Sequence, residues 1–125
     1  MELISTHTIL TSDLGIKGNL FGGKFMAWID VAAAALAVQT IKNPNILTLK
    51  ISECVFHKPA KINNLIKIYG EVLKIGRTSI TVLVEARRLD LLTGEESMIC
   101  TTSVVMVQVD DHGVPSEILI PSKYK

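Results

Sequence analysis

The chain has 125 residues, of which 48% are hydrophobic and 20% charged. This composition suits one globular domain over residues 1–125 and excludes an intrinsically disordered protein. Lys and Arg total 13 against 12 for Asp and Glu, so no long-range positive field draws in nucleic acid or an anionic membrane surface, and we expect neither as a partner.

The first elements in chain order are a strand, a loop and a long helix. Residues 2–10 alternate weakly, and the TSDLGIKGN segment that follows is rich in residues that form turns and helix starts. From Gly22 or Gly23 to about Lys42, apolar residues recur at three- and four-residue steps, which predicts an α-helix. Pro44 disfavours helix at the residue before it, so the helix ends at KNPN.

The rest of the chain consists of predicted strands joined by turns. ILTLKISECVF alternates and then changes phase, which predicts a bulge near Ser52 and Glu53. LIKIYGEVLKI and SITVLVEARRL flank a short Gly-containing turn and predict a hairpin. After the turn DLLTGEE, SMICTTSVVMVQV predicts one more long strand, which ends at DDHGVP.

Together these elements predict an α+β fold in which an antiparallel sheet wraps one central helix. The helix is apolar nearly all round, so either the sheet curls around it or a partner covers its back. The mean hydropathy of +0.38 is high for a small soluble monomer. We therefore expect an oligomer that hides apolar surface between its copies.

Cysteine use and the N-terminus bear on the compartment. The first ten residues lack the basic leader and apolar core of a secretion signal, and the longest apolar run, VAAAALAV, is shorter than the ~20 residues of a membrane span. Cys54 and Cys100 lie far apart in strand-like segments, so we expect reduced core thiols rather than a disulfide or a zinc site. These features predict a soluble, cytoplasmic protein. His7, His57 and His112 have no ligand-like spacing, and no metal site is expected.

Asp30 is the one carboxylate in the apolar helix. At 100° per residue it projects roughly 120 to 180° away from the sector shared by Lys24, Gln39 and Lys42. Burial there without a partner would cost several kcal/mol. Two interpretations remain open: a carboxylate that accepts hydrogen bonds and fixes packing, or a general base or nucleophile beside a substrate.

The residues just upstream favour the chemical interpretation. Gly22 and Gly23 open the helix, where free backbone N–H groups and the positive end of the helix dipole can stabilise an oxyanion. Without side chains, both positions let a carbonyl come close. Asn19 adds an amide that can orient water or the same carbonyl.

The segment GNLFGGKFMAWIDVAAAALA resembles the helix-start signature of the hotdog-fold acyl-CoA thioesterases, in the branch of cytosolic acyl-CoA hydrolases. The resemblance continues through FHKPAK, KIGRTSITVLVEARR and VDDHGVP, and so covers nearly the whole chain. Two departures stand out: INN occupies the place of a Gly-Asp turn that many members have, and Phe21 stands where many have His.

The resemblance implies a hotdog fold, an antiparallel sheet of about five strands wrapped around one long helix. It implies hydrolysis of acyl-CoA thioesters with no cofactor, since coenzyme A is part of the substrate. It also implies a homo-oligomer, a dimer often tripled into a hexamer, with the site at the dimer interface.

The site residues that the resemblance implies fall into two sets. Asp30 matches the catalytic carboxylate, Asn19 a second catalytic or orienting residue supplied by a different subunit, and Gly22 and Gly23 the amides that polarise the thioester carbonyl. The positions expected to bind the phosphates or adenosine of coenzyme A are Gly76, Arg77, Thr78 and Ser79 in the hairpin turn, with Lys58 and Arg87 adding charge.

Two other functions remain as alternatives. A hotdog hydratase or dehydratase needs a His near the helix start, where Phe21 stands. A non-catalytic acyl-CoA-binding hotdog protein would bind its ligand tightly without turnover. The sequence also leaves open whether Asp30 acts as base or nucleophile, and which acyl-chain length fits between side chains such as Phe25, Met26 and Met106.

Overall fold

The computed structural model describes all 125 residues. One long helix lies against a single five-stranded antiparallel sheet, as the sequence predicts. The elements in chain order are strand β1 (Glu2–Thr8), helix α1 (Gly22–Ile41), and strands β2 (Ile46–Ile51), β3 (Asn64–Ile75), β4 (Ser79–Asp90) and β5 (Glu96–Gln108). The spatial order of the strands is β1-β3-β4-β5-β2, so β1 and β2 form the two edges.

Helix α1 fills the concave side of the sheet. Its buried side chains recur at helical spacing, and they are Phe25, Ile29, Ala32, Ala33, Leu36, Ala37 and Ile41. Phe25 and Ile29 are completely buried, and full burial of each such side chain contributes ~1.5–3 kcal/mol. By length and composition alone α1 could also cross a membrane, with a mean hydropathy of 1.3, but here it is the core helix of the sheet.

The central strands alternate between the helix side and the outer face. Every second residue of β4 from Ile80 to Ala86 is buried, as the period of two in a strand requires. Inward-facing Ile68, Val84 and Val104 complete the core against α1. The alternate, partly exposed positions of β4 include Thr81, Glu85 and Arg87.

Strand β2 is shorter than the alternation predicts, and its β-bulge lies at a different position from the predicted one. The register shift falls between Thr48 and Lys50, so the predicted bulge near Ser52 and Glu53 is wrong. The strand ends at Ile51, and the segment from 52 to 63 continues along β5 without regular pairing. As an edge strand, β2 leaves Leu47 and Leu49 55% and 68% exposed.

The two cysteines correct another prediction. Cys54, in the segment after β2, pairs in a disulfide with Cys100 on β5, with a Cα–Cα distance of 6.2 Å. The expectation of two reduced thiols is therefore wrong. Their separation of 46 residues along the chain vanishes in space because the segment after β2 lies beside β5. The cysteines therefore do not support the predicted cytoplasmic location.

Candidate active site

A cavity of about 250 Å³ lies beside the N-terminus of α1. Helix α1 begins without a side-chain cap, so no side chain satisfies the N–H groups of its first turn. A methyl group added at Gly22 would meet no atom within 4 Å. The positive end of the helix dipole therefore faces open space next to the cavity. The lining residues are Asn19, Leu20, Gly22, Phe25, Phe56, Lys58, Pro59, Ala60 and Ile99.

Asn19 lines this cavity with a buried acceptor that has no partner. Its side-chain Oδ1 is buried and accepts no hydrogen bond, a condition that costs ~1–3 kcal/mol. The backbone around it is fixed: the Gly15 N–H donates to the Asn19 carbonyl at 2.8 Å, and the Leu20 N–H donates to the Ala60 carbonyl at 2.8 Å. The amide oxygen is thus held ready for a donor from a water molecule or a ligand.

Asp30 lies eight residues after Gly22 along α1, and its side chain is only partly buried. The sequence predicts it on the apolar face, but it follows the buried Ile29 by about 100° of helix rotation and falls at the margin of that face. Its Oδ1 accepts a hydrogen bond of 2.6 Å from the Thr48 hydroxyl. The Asp30 carboxylate takes part in none of the ion pairs of the protomer, so its charge stays available.

Thr48 is the site residue that the sequence analysis misses. It lies on the edge strand β2, where it pairs with inward-facing Met106 of β5. The sequence feature that could have found it is the alternation of ILTLKI, in which Thr48 is the one hydroxyl residue and shares the inner face with Ile46. Nothing in the sequence shows that this face meets Asp30, since 18 residues separate the two side chains.

One protomer does not bring Asn19 and Asp30 together. The helix rises ~12 Å between Gly22 and Asp30, and neither Asp30 nor Thr48 lines the cavity that contains Asn19. The chain therefore presents two half-sites. The cavity half-site comprises Asn19, Gly22 and the cavity around them, and the carboxylate half-site comprises Asp30 and Thr48 at the β2 edge.

The predicted turn Gly76–Ser79 joins β3 to β4 on the side of the carboxylate half-site. The Gly76 N–H donates to the Ser79 carbonyl at 2.7 Å, which closes the turn. Ser79 pairs with Val107, and Val107 pairs with Leu47 next to Thr48. Arg77 is exposed and belongs to no ion pair within the protomer.

The two remaining predicted cations lie apart. Lys58 lines the cavity with Asn19. Arg87 projects from the outer face of the sheet, where it hydrogen-bonds Glu85, pairs with Glu96 at 3.7 Å and lies 4.6 Å above the Tyr69 ring. The hydrogen bond to Glu85 raises the pKa of Arg87. The structure does not bring Arg87 to the other candidate residues.

Comparisons with known proteins show which family the chain resembles. Residues 17–95 match the profile of the Thioesterase superfamily. An uncharacterized acyl-CoA thioester hydrolase of Haemophilus influenzae is 30% identical over 107 residues, which cover 83% of this chain and 69% of that protein. The acyl-CoA thioester hydrolase YciA of Salmonella typhimurium is 27% identical over 84 residues, or 67% of this chain and 62% of that one.

Two solved structures are similar over almost the whole chain. A hexameric thioesterase from Yersinia pestis superposes with a TM-score of 0.88 at 26% identity and covers 97% of this chain and 96% of that one. A hexameric broad-specificity acyl-coenzyme A thioesterase also gives a TM-score of 0.88, at 27% identity, and covers 97% of this chain and 83% of the other. The architecture is the hotdog fold that the sequence predicts.

Proposed function

The chain belongs to the Thioesterase superfamily, and on that premise we propose that it hydrolyses acyl-CoA thioesters to a free carboxylic acid and coenzyme A. One observation carries the proposal most directly. A buried amide oxygen without a partner, Asn19 Oδ1, lines a cavity at the uncapped start of a helix. That combination suits a carbonyl that gains negative charge beside an ordered water molecule.

The helix start supplies the electrophilic half of the reaction. The thioester carbonyl oxygen lies at the N–H of Gly22, which lines the cavity and donates a hydrogen bond to it as the tetrahedral intermediate forms. Gly23, the second predicted donor, is not among the lining residues and lies against the Phe21 ring, so its N–H is the weaker of the two candidates. The acyl group then extends along the apolar walls formed by Leu20, Phe25, Phe56 and Ile99. The open space above Gly22 is what allows this approach.

Asp30 supplies the basic half of the reaction. In one route, water oriented by Asn19 attacks the carbonyl carbon and gives its proton to Asp30. The C–S bond then breaks, and the proton passes to the departing thiolate of coenzyme A. In the other, an Asp30 oxygen attacks the carbonyl, expels the thiolate and leaves an anhydride that water hydrolyses. Thr48 holds the carboxylate in place in both routes.

The two half-sites meet if each active site takes residues from two protomers. Asp30 of one protomer would then face Asn19 of the partner subunit across a two-fold axis. The exposed edge strand β2 supports this arrangement, since Leu47 and Leu49 on it are exposed and Val31, next to Asp30 on α1, is 67% exposed. We propose a dimer formed along this edge and three such dimers in a hexamer, as the hexameric neighbours suggest.

Coenzyme A requires cations near the site for its phosphates. Arg77 in the exposed turn and Lys58 at the cavity are the two candidates without a carboxylate partner. Gly76, Thr78 and Ser79 complete the turn that we assign to the phosphates or adenosine. Arg87 is the weakest member of the set, because two carboxylates already meet its charge. Water is the only co-substrate, so the proposed reaction needs no cofactor. We propose a cytoplasmic location from the resemblance to cytosolic acyl-CoA hydrolases alone, since the paired cysteines do not support it.

The competing functions have less support in the geometry. A hydratase would need an imidazole at the helix start, but the ring of Phe21 covers Gly23 there, and His7 is stacked on Trp28 instead. A binding protein without turnover would use the same cavity. Thiol release separates it from the hydrolase.

The experiment measures thiol release from a panel of acyl-CoAs by the wild-type protein, Asp30→Asn and Asp111→Asn. Asp111 is an exposed carboxylate in the turn after β5, so its variant is a control with the same charge change. We expect turnover by the wild type and by Asp111→Asn, and a loss of ~100-fold or more in Asp30→Asn. Calorimetric binding of acyl-CoA without any thiol release would favour the binding protein.

A further inference from the structure

Adjacent arginines on β4 face opposite sides of the sheet. Arg87 points outward to Glu85 and Glu96, and the alternation of the strand turns Arg88 toward the helix side. The Arg88 guanidinium donates through Nη1 to the Pro59 carbonyl and through Nε to the Ser97 hydroxyl, the latter at 3.4 Å. No carboxylate pairs with Arg88, so its charge is directed at a main-chain carbonyl.

The Pro59 carbonyl belongs to a wall of the cavity that is not part of any β-strand. Pro59 lies in the segment from 52 to 63, outside the strands, and proline has no N–H to donate. Its neighbours Lys58 and Ala60 line the cavity with it. Main-chain hydrogen bonds hold the segment on either side, from the His57 N–H to the Ile99 carbonyl and from the Leu20 N–H to the Ala60 carbonyl. Pro59 between them is held by the Arg88 side chain.

The wall in turn holds the loop that carries Asn19. The Ala60 carbonyl accepts a hydrogen bond of 2.8 Å from the Leu20 N–H, and Leu20 directly follows Asn19. Two hydrogen bonds thus connect β4 to the candidate catalytic amide: Arg88 to Pro59, and Leu20 to Ala60.

We propose that Arg88 is a positioning residue for the hydrolysis reaction, which fixes Asn19 by clamping the Pro59–Ala60 wall. The inference rests on the proposed function of the cavity. Guanidinium suits this role because its planar fork reaches a carbonyl and a hydroxyl together in a fixed geometry, whereas the ammonium of lysine sits on a flexible stem with rotatable donors and holds them less rigidly. Small displacements of a substrate-orienting group reduce turnover strongly.

The kinetic test compares Arg88→Ala, Arg88→Lys and Lys74→Ala, the last an exposed cation on β3, by kcat and KM for one acyl-CoA. We expect Arg88→Ala to lower kcat about 10-fold with KM changed less than about 3-fold. We expect Arg88→Lys to recover part of the loss, and Lys74→Ala to match the wild type. A loss confined to KM that disappears at high salt would instead make Arg88 a phosphate-binding cation, and would overturn the proposal.

A double-mutant cycle shows whether Arg88 acts through Asn19. In an Asn19→Ala background, removal of Arg88 should cost less than about 2-fold in kcat, because the group that it positions is gone. An undiminished 10-fold loss in that background would contradict the proposal.

Hydrogen exchange tests the clamp without an activity measurement. A failure of the clamp can therefore be distinguished from a failure of the proposed function. The Leu20 amide should exchange faster in Arg88→Ala than in the wild type, while amides in the middle of β4 keep their protection. Unchanged exchange at Leu20 would refute the clamp even in an active enzyme. A faster Leu20 amide in a protein without thiol release would keep the clamp and reject the hydrolase.

Discussion

Thr48 donates a hydrogen bond of 2.6 Å to the Asp30 carboxylate and so joins the edge strand β2 to helix α1. The bond fixes the orientation of the one carboxylate that the proposed reaction needs. It also ties that carboxylate to the edge strand that carries exposed Leu47 and Leu49, where we propose that a second protomer binds.

Replacing Thr48 with Val removes the hydroxyl and keeps the shape of the side chain. We expect kcat to fall about 10-fold because the carboxylate is no longer held in one orientation. Thr48→Ser should keep most of the activity, since it retains the donor. Steady-state thiol release measures both variants, and equal kcat for Val and Thr would show that the hydrogen bond has no part in catalysis.

Gly22→Ala tests whether Gly22 is required for substrate binding rather than for stability. The added methyl meets no atom within 4 Å, and alanine favours helix over glycine by up to ~1 kcal/mol. The variant should therefore unfold at the same temperature as the wild type or higher. Its activity should fall by ~10-fold or more, because the methyl occupies the approach to the first-turn N–H groups. Full activity would place the thioester elsewhere.

Phe56 is expected to limit the acyl chain. Its ring packs on the buried Phe25 with centroids 5.0 Å apart and forms part of the cavity wall. Phe56→Ala should enlarge the cavity and shift the ratio of kcat/KM for long over short acyl chains upward by about 10-fold. Leu119→Ala, which removes an 87% exposed side chain outside this cavity, is the control. An unchanged ratio would remove Phe56 from acyl recognition.

The lowered pKa of His7 predicts that the stability of the protein depends on pH. Burial lowers the pKa of His7 below its ordinary value of 6.5, although the Asp13 carboxylate opposes this effect. The unfolded chain then binds the proton more readily, so the contribution of neutral His7 is complete above pH 6.5 and is lost as the pH falls through the lower, folded pKa.

The test compares urea unfolding of the wild type and His7→Gln at about pH 7.5 and pH 5.5. Part of the stabilisation of the wild type relative to the variant should be lost at the lower pH. Fluorescence of Trp28, whose ring stacks on His7 at 4.3 Å, follows the same transition. A difference between the two proteins that does not change with pH would contradict the assignment. His57→Gln, at an exposed position, is the control.

The sequence predicts those parts of the fold that depend on local pattern. Helix α1 follows from apolar spacing and from Pro44, and β3 and β4 follow from alternation around one tight turn. The predicted bulge near Ser52 was wrong because the change of phase there marks the end of β2, after which the chain follows β5 without regular pairing. The cysteine pair was missed because its closeness arises from the path of the segment beside β5, which no local pattern records.

The candidate site divides in the same way. Asp30 stands out because it is the one carboxylate in an apolar helix. Asn19 and Gly22 gain weight only through their place just upstream of it, since amides and glycines are common at helix starts. Thr48 and Arg88 do not stand out, since their roles depend on partners 18 and 29 residues away along the chain. Arg87 was chosen over Arg88 although only the strand register, seen in the structure, tells which of the two faces the helix side.

The sharing of one site between two protomers is tested most directly by mixing two variants of strongly reduced activity. Asp30→Asn and Asn19→Ala subunits, refolded together, form mixed dimers in which one site carries both substitutions and the other carries neither. Random pairing should restore about a quarter of the wild-type thiol release. Activity that stays at the level of the separate variants, in samples shown by mass spectrometry to contain mixed dimers, would contradict a site built from Asp30 of one subunit and Asn19 of the other.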